Sequence, residues 1–74
     1  MKEAIRTKLE ELLPLVDFDS DFLFQELDSL GITTILMTLS DMYGVEFDYS
    51  DVTPKNFRTI DSLISMVKEK IRLK

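Results

Sequence analysis

Glu26-Leu27-Asp28-Ser29-Leu30-Gly31-Ile32 is the stretch where a loop becomes a helix, and it decides how the rest of the chain is read. Asp28 is a good N-cap, because its carboxylate can accept from first-turn N–H groups that lack intrahelical partners. Ser29 then falls in the first turn, with its hydroxyl in solvent at the positive end of the helix dipole. A phosphate ester on that oxygen would gain about 0.3–1 kcal/mol from the helix terminus. Behind it Ile32, Ile35, Leu36, Leu39 and Tyr43 recur at helical spacing, which predicts a helix from Ser29 to about Tyr43. Gly44 is suited to the left-handed residue that closes it. A serine in such a place is commonly only a cap or a solvated polar group, so its role depends on the rest of the chain.

Working outward, Ile5, Leu9, Leu12 and Val16 form one stripe of a first helix over about Lys2 to Leu13, limited by Pro14. A long acidic loop follows from Leu15 to Leu27. Some of its Phe18, Phe22, Leu23 and Phe24 should fold under the helices, since burying a large apolar side chain contributes about 1.5–3 kcal/mol. Val45-Glu46-Phe47 reads as extended or turn, and a short third helix is expected near Asp51 to Asn56. A last helix begins after Thr59 and points Ile60, Leu63, Ile64, Val67 and Ile71 inward. The expectation is an all-α fold, a small four-helix bundle forming a single domain over residues 1–74.

Composition narrows the chemistry. The 74 residues include no His and no Cys, so neither a Ser-His nor a Cys-His arrangement can be built, and ordinary zinc sites are excluded. Every Lys lies before residue 9 or after residue 54, leaving no lysine base near Ser29 in sequence. A chain of this size buries roughly 60% of its unfolded surface, so stability rests on a small apolar core. The absence of cysteine suits a reducing compartment. No apolar run is long enough to span a membrane, and no signal peptide is evident. The start at Met1 and the lack of linker-like flanks suggest a free-standing protein, with the cytoplasm as the default location, and a monomer is expected.

Charge is unevenly spread within a net −5. From Asp17 through Pro54 every charged residue is acidic, whereas Lys68, Lys70, Arg72 and Lys74 crowd the end of the last helix. Cations there favour the negative pole of the dipole, a better account than nucleic-acid binding in an acidic chain with no interleaved aromatics. The acidic stretch would instead speed encounter with basic surfaces. Asp17-Phe18-Asp19-Ser20-Asp21 has the D-x-D-x-D opening of a calcium loop with Asp28 at its twelfth position. Phe22 stands where that loop needs Gly, and Asp28 where it needs Glu, so at most a weak divalent site is expected.

Asp28-Ser29-Leu30, the helix ending in Tyr43-Gly44-Val45, and the tail from Asp51 through Leu63 together resemble an acyl or peptidyl carrier protein over nearly the whole chain. The resemblance implies a four-helix carrier bundle and no catalysis of its own. It implies that a phosphopantetheinyl transferase moves 4′-phosphopantetheine from coenzyme A onto Ser29, flanked by Asp28 and Leu30. The arm would then carry an acyl or aminoacyl thioester between enzymes, with the carried chain either sheltered between the helices or left exposed. An adenylate-forming ligase is the expected loader, a downstream acyltransferase or synthase the acceptor, and a specialised biosynthetic pathway the setting.

Two departures stand out. Glu26 occupies the position three before the serine that is usually Gly in the family. The serine helix also lacks the dense acidic face of fatty-acid carriers, showing Thr33, Thr34, Met37, Thr38 and Ser40 with only Asp41 charged before Tyr43. Threonine is a poor helix former, so a docking surface built on Thr33, Thr34, Met37 and Asp41 is one reading and a merely solvated face the other. Met37 is either an exposed anchor or a core filler. An unmodified carrier-like interaction module remains the alternative function.

Overall fold

The apolar steps of the sequence become three long helices joined by two short helical turns. The computed structural model describes all 74 residues. Helix α1 spans Lys2–Leu12, α2 Leu23–Glu26, α3 Ser29–Tyr43 and α4 Ile60–Leu73, with a 3-10 turn at Tyr49–Asp51. The three long helices pack against one another pairwise, as an acyl-carrier-type bundle requires. No helix is long and apolar enough to cross a membrane.

The core is drawn from every element. Ile5 and Leu9 of α1, Leu23 of α2, Ile35 and Leu39 of α3, and Leu63 and Val67 of α4 are fully buried around Phe57. Each contributes about 1.5–3 kcal/mol by leaving water. The expected stripes shift at their ends. In α1 the inward line runs Ile5, Leu9, Leu13 in four-residue steps, which turns Leu12 outward at 45% exposure. In α4 Met66 is buried and the apolar face closes at Val67, leaving Ile71 partly in water in the last turn. Thr38, read as solvent-facing, is buried too, its hydroxyl donating to the Thr34 carbonyl at 2.7 Å.

The segment before α3 is not wholly a loop. Phe22 to Glu26 winds into α2 because Leu23 is buried, Phe24 meets Phe57 edge-on at 6.1 Å, and the Leu23 N–H donates to the Arg58 carbonyl at 2.8 Å. A tertiary hydrogen bond, rather than local periodicity, stabilises that single turn. Phe18 is buried as expected, whereas Phe22 stays exposed.

The third helix expected at 51–56 is also corrected. The Asp48 side chain accepts from the Ser50 N–H at 2.9 Å and starts a turn two residues earlier, at Tyr49–Asp51. The Asp51 carboxylate answers by accepting from the Asp48 N–H at 2.9 Å, a reciprocal capping box. Beyond it Thr53 Oγ1 accepts from the Asn56 N–H at 3.0 Å and the Thr53 carbonyl from the Phe57 N–H at 3.1 Å. That is one turn, ended where Phe57 enters the core and Thr59 caps α4.

Candidate functional site

Helix α3 begins where the sequence placed it. Asp28 is extended (φ −99°, ψ −178°), and its carboxylate oxygen accepts from the Gly31 N–H at 2.8 Å. The helix closes at Gly44, whose φ of +63° is the only positive value in the chain and whose N–H reaches the Ser40 carbonyl at 2.8 Å. Fifteen residues of aligned peptide dipoles therefore stand behind Ser29.

Ser29 and its neighbours Asp28 and Leu30 are all exposed, Leu30 at 73%. Four of the five other serines differ from Ser29 in having hydroxyls that are already hydrogen-bonded. Ser20 accepts from the Phe22 N–H, Ser40 donates to the Val45 carbonyl, Ser50 bonds Asp48, and Ser62 pairs with Thr59. Ser29 and Ser65 have hydroxyls without a protein partner, and Ser65 lies in the middle of α4, where the backbone is already hydrogen-bonded.

The sequence-predicted docking residues fall into a geometric order. Ser29, Thr33, Met37 and Asp41 succeed one another at four-residue steps, and all are exposed, so they form one line along α3. Met37 is 63% exposed and is no core filler. Thr34 does not join them as a free hydrogen-bonding group. Its hydroxyl donates to the Leu30 carbonyl at 2.8 Å, the local bond that threonine makes within a helix.

Beside that line runs an open groove of about 400 Å³, beginning at Ser29. Ile32, Thr33, Leu36 and Met37 form its α3 wall, and Asp48, Tyr49 and Val52 form the other. A smaller depression continues past Met37 to Asp41 and Phe47. The second wall escaped the sequence reading. Its signal was the Asp48-x-x-Asp51 spacing, which announces a capped turn at Tyr49.

Carboxylates along the acidic loop are engaged within the protein. Asp17 accepts from the Asp19 N–H, Asp19 is paired with Arg6 at 2.7 Å, and Asp28 is committed to its cap. Helix α2 also interrupts the span that a calcium loop would need, and no group of three metal-binding side chains gathers anywhere.

A bundle that offers a bare hydroxyl at a helix start, with an apolar groove leading away, has the form of a carrier. The family model for the phosphopantetheine attachment site matches residues 2–67, and the chain belongs to that family. No curated protein and no solved structure matches the chain. The protein is thus a carrier that takes a covalent 4′-phosphopantetheine arm on a serine and works with a phosphopantetheinyl transferase and partner enzymes. The features present fit such an arm: a free hydroxyl, a helix N-terminus for its phosphate, and an apolar groove beside it.

Proposed function

We propose that Ser29 is the attachment serine and that the loaded arm carries acyl or aminoacyl thioesters in a specialised biosynthetic pathway. The observation that carries this reading is the combination, at Ser29 alone, of an unengaged exposed hydroxyl, a helix N-terminus and the groove mouth. The transfer joins the Ser29 oxygen to the pantetheine-bearing phosphorus of coenzyme A as a phosphorus–oxygen bond in its pyrophosphate breaks, the hydroxyl proton is given up and adenosine 3′,5′-bisphosphate leaves. The arm supplies a terminal thiol for the thioester.

The chain's own residues do the positioning. Asp28 fixes the start of α3 and so the direction of the Ser29 hydroxyl. Leu30, at 73% exposure, offers partner enzymes an apolar contact next to the phosphate. Thr33 and Met37 extend that contact, Thr34 supports it, and Asp41 supplies its one charge. Little of this face is ionic, which supports partners that read it by apolar and hydroxyl contacts. An adenylate-forming ligase as loader, and an acyltransferase or synthase as acceptor, are the partners this reading favours. Apolar cargo would have the groove as shelter.

The test is the intact mass after incubation with coenzyme A, magnesium and a broad-specificity phosphopantetheinyl transferase. A gain of one phosphopantetheinyl unit that persists in Ser65→Ala and vanishes in Ser29→Ala is expected. A gain that survives Ser29→Ala overturns the site. No gain with several transferases would instead indicate an unmodified interaction module.

A further inference from the structure

The wall of the groove opposite α3 is held from outside the groove. Asp51, the last residue of the 3-10 turn, has its side chain only 13% exposed, and its Oδ2 does two things. It accepts from the Asp48 N–H at 2.9 Å, closing the capping box, and it pairs with Lys70 Nζ of α4 at 3.0 Å. The Lys70 ammonium also lies 5.8 Å from the centre of the Phe47 ring, which leads into the turn. Two residues of that turn, Asp48 and Tyr49, face the groove, and so does Val52 just after it, whereas Lys70 does not.

We propose that Lys70 is a positioning residue for this groove, a latch that acts through Asp51. With the pair made, the Tyr49–Val52 wall stands opposite Met37 and the groove beside Ser29 has a defined shape. With the pair broken, the turn keeps its local hydrogen bonds and the packing of Phe47 and Val52 on the core but loses its ionic tie to α4. Its wall then loosens, and an apolar chain lying in the groove becomes open to water. Nothing else ionic ties this turn to α4: Arg72 pairs with Glu69 within the helix, and Lys2 with Asp61 at its far end. The inference rests on the Ser29 reading only for what enters the groove.

Amide hydrogen exchange of the unmodified chain is the first arm of the test. The Asp51 and Val52 N–H groups, which bond the Asp48 and Tyr49 carbonyls, report the wall directly. Lys70→Met keeps the carbon stem over Phe47 and removes the charge. It should speed exchange at both amides by roughly fivefold, the upper end for a partly exposed pair, and leave Leu39 and Leu63 unchanged. Asp51→Asn keeps an acceptor for the Asp48 N–H and should give the same result, which preserves the test if Lys70→Met folds poorly. Lys70→Arg should restore slow exchange. Salt at about 1 M, where the screening length is near 3 Å, should move the wild type part of the way.

The second arm uses the protein loaded from octanoyl-coenzyme A. Its thioester should react with hydroxylamine severalfold faster in Lys70→Met than in the wild type. Unchanged exchange at Asp51 and Val52 overturns the latch. So does faster exchange with unchanged thioester reactivity, since the pair would then serve the fold alone. If the wild type takes no arm, the Ser29 reading falls separately, and exchange alone decides the latch.

Discussion

The Asp28 carboxylate and the Gly31 N–H, 2.8 Å apart, fix the first turn of α3 and with it the place of Ser29 between them. Gly31 is half of this arrangement. A Cβ there would stand 3.3 Å from the Asp28 carboxylate oxygen, tighter than most side-chain contacts, and 3.4 Å from Leu27 Cδ2. Asp28→Ala should cost about 1 kcal/mol in urea unfolding, the usual loss for an N-cap. Asp28→Asn caps equally well and should stay within a few tenths of a kcal/mol. If the two variants are equally destabilised, the cap is not what Asp28 contributes. A slower gain of phosphopantetheine in Asp28→Asn, at wild-type stability, would assign the lost charge to recognition by the transferase.

The depth of the core separates two leucine-sized positions that sequence periodicity treated alike. Leu39 is fully buried in the core, while Ile71 is 39% exposed in the last turn of α4. Leu39→Ala should cost about 2–5 kcal/mol through the cavity it leaves. Ile71→Ala leaves no closed cavity and should cost under about 1 kcal/mol. Comparable losses in chemical denaturation would show that α4 packs further along its length than its exposure indicates.

Local chemistry made α3 legible in the sequence, and tertiary contact hid the rest. The start at Asp28 and the end at Gly44 are written in residues that act on their own backbone, so both were readable without any partner. Helix α2 depends on Leu23 donating to Arg58, thirty-five positions away, and no periodicity announces it. The displaced third helix depends on Asp48 and Asp51 exchanging hydrogen bonds, a short-range signal that apolar periodicity does not carry. Ser29 was legible as a candidate because its flanks were. Its groove was not, because Tyr49 and Val52 reach it only through the turn that Lys70 holds.

The exposed line on α3 makes a prediction about partners. Met37→Glu and Thr34→Lys should each leave stability within about 0.5 kcal/mol, since neither side chain fills the core. Both should slow loading of the modified protein by its ligase, Met37→Glu the more, because Met37 stands in the groove line and Thr34 spends its hydroxyl on Leu30. The check is the rate of thioester formation beside an unfolding curve for each variant. Unchanged loading in both would remove this face from the docking surface.

Acid should loosen the groove wall at Asp48 in a way that can be followed residue by residue. The hydrogen bond from the Ser50 hydroxyl, then that from the Ser50 N–H, holds the Asp48 carboxyl below its ordinary 3.8, with Lys70 of α4 adding attraction. Asp51, the other acidic group at this turn, is occupied by Lys70 and the Asp48 N–H. A carboxyl lowered in the folded state contributes stability that is present above its unfolded value and is lost as pH falls through the folded one. The Ser50 amide resonance should therefore titrate with a midpoint below 3.8. Ser50→Ala, which removes the larger cause, should raise that midpoint toward the ordinary value. A wild-type midpoint at or above 3.8 would mean that these hydrogen bonds do not favour the ionised carboxylate, and the turn would need another reason to form where it does.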